Sequence, residues 1–171
     1  MSHLRPGVLQ DLHVELAGGG ELGSAVAAAC ESLGAAVTEG ELPDPLHVLV
    51  ADAAAGFAAG GLRAATDDTW AAVRAAGVER MIPARDGKVV LLAPRPGAGP
   101  HAEPARDALE NLARTLSIEW SRHGIRVTAV HPGADTPAAE VAELVAFLAS
   151  PAGDYYSGCR FSLGAAVAPP A

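Results

Sequence analysis

The stretch from residue 103 to residue 133 places the strongest limit on how this chain can fold. Its first part carries large apolar side chains at helical spacing, at Leu109, Leu112, Leu116 and Trp120. Gly124 is typical of a helix end, and residues 125–130 (IRVTAV) form a β-branched, apolar run that a Pro-Gly pair terminates. We therefore predict a helix over 103–123 followed by a buried strand, which is half of a parallel α/β unit.

Short apolar runs alternate with helical patterns along the rest of the chain. The predicted strands cover residues 12–16, 35–38, 46–52, 88–93, 125–130 and 159–163, and the predicted helices cover 24–33, 69–80, 103–123 and 138–148. Thr66, Asp67 and Asp68 are expected to cap the second helix, and a loop rich in Gly and Ala is expected after Asp52. This order predicts one three-layer α/β domain, a doubly wound parallel sheet of about six strands with helices on both faces.

That single domain is expected to span residues 1–171, with residues 1–11 and 165–171 as loosely ordered ends. The formal net charge of −8 argues against nucleic acid and against an anionic membrane surface as partners. No stretch reaches the roughly 20 apolar residues of a membrane span, and the N-terminus shows no signal-peptide core. Cys30 and Cys159 lie far apart and are predicted to be buried thiols, which indicates a cytoplasmic location. The histidines show no metal-ligand spacing, so no metal site is predicted.

Several segments resemble one known family. The runs ALENLARTLSIEW and GIRVTAVHPG are similar to the fifth helix and sixth strand of the short-chain dehydrogenase/reductase family, and EVAELVAFLASPAGDYYSG and FSLG continue the match. The resemblance implies a Rossmann-like fold whose active members bind NAD or NADP. The interval between residues 38 and 46 is too short for a strand-helix-strand unit of about 30 residues. The third family strand is therefore expected to be missing.

The residues that carry out the family's chemistry are replaced in this chain. The family uses a Tyr hydroxyl that passes a proton, a Lys that lowers the pKa of that hydroxyl, and a Ser that orients the substrate oxygen. By resemblance, the Tyr and Lys positions are Ala102 and Arg106, and the Ser position is Ala93 or Pro94. Alanine has no proton to transfer, and arginine does not titrate usefully. No catalytic residue is therefore predicted, and His101, beside the Tyr position, is the weak candidate for residual chemistry.

The run AGGGELG at residues 17–23 resembles the family's glycine-rich turn, which holds the cofactor pyrophosphate at a helix N-terminus. The weak candidates for cofactor binding are Gly18, Gly19, Gly20 and Gly23. An alignment without gaps puts Glu21 at a family glycine, where its carboxylate would repel a pyrophosphate. A shift by one step instead matches Gly19 and Gly23. The turn is either a surviving anion site or only a flexible lead into a helix.

Two further family motifs have changed as well. The Asn-Asn-Ala-Gly motif is ADAA at residues 51–54, and Gly77 is expected at the place of an active-site Asn. The connection PGADTP at residues 132–137 leaves no room for the pair of short helices that closes over the substrate in the family. No cofactor is therefore expected, and NAD or NADP would bind only if the chain is an active enzyme.

These losses favour a catalytically inactive relative that is kept as an oligomerisation or scaffolding partner. The resemblance implies association with itself or with an active paralogue through helices 69–80 and 103–123 and through the C-terminal strand. An atypical NAD(P)-dependent oxidoreductase using His101 or Arg106 is the first alternative. A sensor that binds a small ligand at the carboxyl ends of the strands is the second.

Overall fold

The structure, a computed structural model, describes residues 3–164. Its strands are β1 His13–Ala17, β2 Ala36–Glu39, β3 Val48–Asp52, β4 Gly87–Leu92, β5 Ile125–His131 and β6 Arg160–Ser162. Its α-helices are α1 Glu21–Ser32, α2 Ala53–Ala76, α3 Ile82–Ala84, α4 Ala102–Glu119 and α5 Ala138–Ala149. A π-helical turn covers Gly77–Met81, and 3₁₀ turns cover Ser121–His123 and Pro151–Tyr155.

The six strands form one parallel sheet in the order β2-β1-β3-β4-β5-β6. Parallel neighbours require crossover connections, and the chain winds outward from β1 in both directions. The predicted fold class is confirmed: a three-layer, Rossmann-like, doubly wound sheet of six strands. Within residues 3–164, β2 is an edge strand, at the side where the resemblance places a further family strand.

The sheet separates two apolar cores. In β3, Leu49 and Ala51 belong to the core under α2 and α4, whereas Val48 and Val50 belong to the core under α1 and α5. Successive side chains of a strand point to opposite faces, so a strand between two helical layers is buried at every position. This explains why β3 reads in the sequence as a continuous apolar run.

The segment after β3 differs from the prediction. The expected Gly/Ala-rich loop is helical, because α2 begins at Ala53 and the Asp52 side chain accepts a hydrogen bond from the Ala55 amide as its N-cap. Thr66, Asp67 and Asp68 therefore lie inside a helix and not at its start. The helix is kinked at Gly60 and Gly61, whose backbone angles are non-helical. Alanine strongly favours the helical conformation, which explains why this alanine-rich segment is helical despite its glycines.

The boundaries of the two helices predicted as interface elements also need correction. The helix predicted over 69–80 is the C-terminal part of α2, which ends at Ala76 and continues as a π-helical turn. The helix predicted over 103–123 begins at Ala102 and ends at Glu119, and a 3₁₀ turn follows it. His101 is the N-cap, in a left-handed conformation, and Pro104 lies at the third helical position.

The ends of the chain were predicted to be loosely ordered. In contrast to that expectation for residues 1–11, Leu9 is fully buried and its amide donates a hydrogen bond to the Leu33 carbonyl. Residues 165–171 lie outside the described residues, as do residues 1 and 2. Cys30 is a buried thiol as predicted, whereas Cys159 is partly exposed. Across residues 3–164, no helix is both long enough and apolar enough to cross a membrane.

Candidate functional site

The candidate site lies at the carboxyl ends of the strands, where α/β proteins of this topology bind their ligands. Two groups of residues line this edge. One, the glycine-turn end, consists of residues 17–23, from the last residue of β1, and residues 52–55, from the last residue of β3. The other, the reaction end, consists of residues 93–95 after β4, residues 101–106 at the start of α4 and residues 131–136 after β5.

The glycine-turn end is organised by the carboxylate of Asp52, which is only 4% exposed. Its Oδ2 atom accepts hydrogen bonds from the amides of Gly20 at 3.2 Å and Gly23 at 3.0 Å, and its Oδ1 atom accepts one from Ala55 at 3.1 Å. Gly20 and Gly23 belong to the N-terminus of α1, and Ala55 belongs to the first turn of α2. One carboxylate therefore satisfies free amides at two helix N-termini.

Two of the predicted glycines are required for this contact. A Cβ atom at Gly20 would lie 3.0 Å from Oδ2 of Asp52, and one at Gly23 would lie 2.8 Å from it. Gly18 and Gly19 lie in the exposed turn before α1, and Gly19 has no other part of the chain within 4 Å of a Cβ position. The absence of a side chain at Gly20 and Gly23 thus lets the carboxylate approach the backbone.

Two opposing effects act on the pKa of Asp52. Burial raises the pKa of this carboxyl above its ordinary value, because the charged form loses its hydration. The hydrogen bonds from the backbone amides act in the opposite direction and favour the charged form. The net direction is upward, so burial outweighs the amides.

Three features of the glycine-turn end bear on the binding of a dinucleotide cofactor. The cleft beside the glycine turn measures about 220 Å³ and is lined by Glu21, Asp52, Phe57 and Arg95, among others. Ligand pockets of small-molecule size usually measure about 300–1,000 Å³. The amides of Gly20 and Gly23, two of the free amides at the N-terminus of α1, already bind a carboxylate. Glu21, at the first position of α1, adds a second negative charge.

The reaction end contains the predicted positions of the family's catalytic residues and brings them together. Ala93 and Pro94 follow β4 and are buried, and Ala102 is buried in the first turn of α4. None of these three side chains has a proton to donate. Arg106 lies one turn further along α4, and its side chain is 12% exposed. Arg106 contacts the Pro94 carbonyl, and Ala93 and Ala102 belong to the same apolar core, so the four positions lie near one another without an acid or base among them.

Arg106 and Arg95 connect the two loops of the reaction end. The Nη1 atom of Arg106 donates to the Pro94 carbonyl at 2.6 Å and to the Pro132 carbonyl at 2.9 Å, and its Nε atom lies 3.4 Å from the Glu103 carboxylate. Arg95 donates from the β4–α4 loop to backbone carbonyls of the β5–α5 loop, those of Gly133, Ala134 and Thr136. The two arginines therefore hold the two loops together.

His131 at the end of β5 is a residue that the sequence did not single out for this site. It is 2% exposed, and its Nε2 atom has no hydrogen-bond partner within residues 3–164. Burial, followed by the charges of Arg106 and Arg160, lowers the pKa of His131 to about 4. The ring lines a cavity of about 300 Å³ together with both arginines. The preceding apolar strand was the sequence signal for its burial.

Two other candidates take different positions from those expected. His101 is exposed at the N-cap of α4, with φ at 68°. Gly77 does not lie at the reaction end, because a Cβ atom there would overlap the ring of Trp120, which follows the C-terminal end of α4. Ala102 and Arg106 lie at the opposite end of that helix. The assignment of Gly77 to the place of an active-site Asn was therefore wrong. The part of the chain that the structure describes contains no group of three or more His, Cys, Asp or Glu placed to hold a metal ion.

Comparison with known proteins identifies the fold. A scan against protein-family models found no match, and neither did a search of curated proteins. Among solved structures, a short chain dehydrogenase from Mycobacterium smegmatis superposes with a TM-score of 0.82 at 20% identity over 98% of both chains. A citronellol catabolism dehydrogenase of Pseudomonas aeruginosa PAO1 gives 0.78 at 22% identity, covering 94% of this chain and 96% of that one. A hydroxysteroid dehydrogenase from Escherichia coli gives 0.77 at 15% identity, covering 90% and 95%. The chain has a short-chain dehydrogenase-like fold.

Proposed function

We propose that this chain is a catalytically inactive protein of the short-chain dehydrogenase-like fold that serves as an oligomerisation or scaffolding partner, with itself or with an active paralogue. The observation that carries the proposal is the reaction end. Alanine stands where a proton must be transferred, and Arg106 uses its guanidinium to bind two backbone carbonyls. General acid catalysis needs a group that exchanges a proton near the working pH, and a guanidinium remains charged throughout that range.

The outer surface of α2 and α4 supports association. Both helices pack on the same face of the sheet, and they expose Trp70, which is 45% exposed, and Ile118, which is 76% exposed. Val78, in the π-helical turn after α2, is exposed as well. Large apolar side chains on one surface gain free energy when a partner removes them from water, at roughly 25 cal/mol per Å². This surface includes the helices predicted to form the interface.

The first prediction concerns Ile118. We expect the wild-type chain to have the mass of a dimer or larger assembly by light scattering, and Ile118→Glu to reduce it to the monomer, because a buried, unpaired carboxylate opposes association. The matched control is Ala28→Glu, an equivalent change at an exposed position of α1 on the other face of the sheet. A wild-type chain that remains monomeric, and that does not associate with active family members of the same cell, contradicts the proposal.

The alternative is a NAD(P)-dependent oxidoreductase with a remodelled site. The likeness to solved dehydrogenases supports it at the level of the fold alone. It requires turnover of NADH or NADPH that disappears in His101→Gln or in Arg106→Met. Turnover of that kind would replace the present proposal, whereas a heat of binding of zero and no turnover with either cofactor would remove the alternative.

A ligand sensor is the remaining candidate. The cavity of about 300 Å³ beside Arg106, His131 and Arg160 supports it, because two cations, a neutral imidazole and the carboxylates of Glu103 and Asp107 surround one space. Titration calorimetry with small carboxylates would detect such a ligand. Saturable binding that is lost in Arg160→Met, with no effect of the ligand on oligomeric mass, would favour this candidate over the scaffold.

A further inference from the structure

We propose that the Asp52 carboxylate is a built-in anion that takes the phosphate position of the glycine turn and thereby excludes dinucleotides from this chain. The proposal deepens the proposed loss of catalysis, since it gives a structural cause for the loss of cofactor binding. It stands on the three amide contacts of Asp52, on the space available at Gly20 and Gly23, and on the convergence of two helix N-termini.

The first step of the argument is that the N-terminus of α1 needs an acceptor from elsewhere. Its N-cap residue is Gly20, which has no side chain to receive the free amides. Aligned backbone dipoles make a helix N-terminus favourable for negative charge, and phosphates and carboxylates both satisfy that requirement. Asp52 supplies the negative charge from β3, the strand adjacent to β1.

The second step is that Asp52 is held in place independently of α1. It is itself the N-cap of α2, through the bond from the Ala55 amide to Oδ1. The other oxygen, Oδ2, receives both amides of α1. Each carboxylate oxygen therefore serves one helix, and a single side chain connects the N-termini of α1 and α2.

The third step is that an external phosphate cannot share this position. A Cβ atom at Gly23 would lie 2.8 Å from Oδ2, so the carboxylate is in close contact with the backbone of the turn. A phosphate oxygen aimed at the same amides would need to occupy the space of Oδ2 against like charge. Glu21 adds repulsion at the open side of the cleft. A phosphate can bind the amides of Gly20 and Gly23 only if the Asp52 side chain is removed.

The test compares pyrophosphate binding by the wild type, Asp52→Ala and Asp52→Asn, at an ionic strength matched with KCl. We expect inorganic pyrophosphate to leave the melting temperature of the wild type unchanged. In Asp52→Ala it should raise the melting temperature by about 4 °C at roughly tenfold excess over Kd, because the ligand binds only the folded chain. Asp52→Asn, which keeps the volume and loses the charge, should give a smaller rise.

Glu15→Ala is the matched control. The Glu15 carboxylate is also buried, and it accepts hydrogen bonds from the Gly40 amide and the Thr38 hydroxyl. Glu15 lies in β1, before the glycine turn. The Glu15→Ala variant should be less stable than the wild type, and pyrophosphate should not change its melting temperature. A rise of similar size in Glu15→Ala would show that pyrophosphate stabilises any weakened variant, and it would overturn the inference.

A measurement on the wild type alone keeps the inference testable if Asp52→Ala does not fold. The amide protons of Gly20, Gly23 and Ala55 should shift together in NMR spectra during an acid titration, with one common midpoint. Separate midpoints would overturn the inference. The inference would also be overturned if the wild type bound pyrophosphate as tightly as Asp52→Ala does. The same holds if the Asp52 variants fold but show no rise in melting temperature with pyrophosphate. None of these results bears on oligomeric mass or on turnover, which test the proposed function.

Discussion

The two ends of the candidate site are closed by side chains of opposite charge. At the glycine-turn end, the Asp52 carboxylate accepts hydrogen bonds from amides at two helix N-termini. At the reaction end, Arg95 and Arg106 donate to carbonyls in the two loops that follow β4 and β5. In both cases a charged side chain satisfies backbone groups that a ligand would otherwise meet.

The difference in sign has physical consequences. A carboxylate accepts hydrogen bonds from the free N–H groups at helix N-termini, and a guanidinium donates hydrogen bonds to free C=O groups in loops. In each case the charge lies next to the end of the peptide dipole that has the opposite sign. The backbone at each end is therefore satisfied without a cofactor. The crevice at the carboxyl ends of the strands is therefore stabilised by the chain's own side chains, and each end has its own dependence on mutation and pH.

The largest expected effect is at Arg106. Arg106→Met should lower the free energy of unfolding by about 4 kcal/mol, because two backbone carbonyls lose their donor and each unsatisfied buried group costs roughly 1–3 kcal/mol. Urea unfolding followed by circular dichroism measures this change. The carbonyls concerned belong to Pro94 and Pro132, which are both buried.

Arg74→Met is the matched control for Arg106→Met, since Arg74 is exposed on α2 and its change should stay within about 0.5 kcal/mol. Arg106→Lys keeps the charge and should recover part of the loss. If Arg106→Met and Arg74→Met lowered the free energy of unfolding by equally small amounts, the Arg106 guanidinium would not stabilise the reaction end. The comparison of the two ends would then fail.

The fold was predictable from local patterns. Apolar runs such as β3 and β5 and the leucine spacing of α4 each depend on neighbouring residues, so the sequence contains them directly. The positions of Ala102 and Arg106 came from the family resemblance, and their spacing of four residues on α4 puts them on one face of the helix. The start of α2 was missed because its Ala and Gly residues are common to loops and helices.

The contacts that close the site were not predictable in the same way. Asp52 lies 32 residues from Gly20 and 29 from Gly23, and the contact arises only because β1 and β3 are adjacent in the sheet. The direction of the Arg106 side chain depends on two loops that meet in space. The burial of His131 depends on the layers on both faces of β5. Each of these requires the tertiary structure.

The next prediction concerns pH, and its sign differs between the two ends. His131 has a folded-state pKa of about 4 against an ordinary value of 6.5, so the unfolded chain binds more protons between those values. Its contribution to stability is present above pH 6.5 and is lost as the pH falls to about 4. The full loss is about 3 kcal/mol, at 1.36 kcal/mol for each pKa unit.

Asp52 acts in the opposite sense. Its folded-state pKa is raised above 3.8, so its contribution is fully present below that value and is lost as the pH rises through the folded pKa. Unfolding free energies measured in urea across this acid range should therefore rise less steeply with pH in His131→Gln and more steeply in Asp52→Asn. A wild-type slope that persists in both variants would contradict the assignment of opposite signs to the two ends.

The smallest expected effect is at Arg95, and it tests whether the two arginines act as one unit. Arg95 is half-buried, and it donates to the Gly133 carbonyl at 3.0 Å and to the Thr136 carbonyl at 2.6 Å. Water can replace part of these bonds, so Arg95→Met should lower the free energy of unfolding by about 1 kcal/mol. Hydrogen exchange should also become faster in the loop at residues 132–137.

The double variant decides the question. Arg95 and Arg106 connect the same pair of loops, so once Arg106→Met has freed the Pro132 carbonyl, the loop at residues 132–137 is already less restrained. The loss in Arg95→Met/Arg106→Met should then be smaller than the sum of the single losses by about 0.5 kcal/mol or more. Strict additivity would show that each arginine stabilises its own loop separately. The reaction end would then be two independent contacts, in contrast to the single carboxylate that connects two helices at the glycine-turn end.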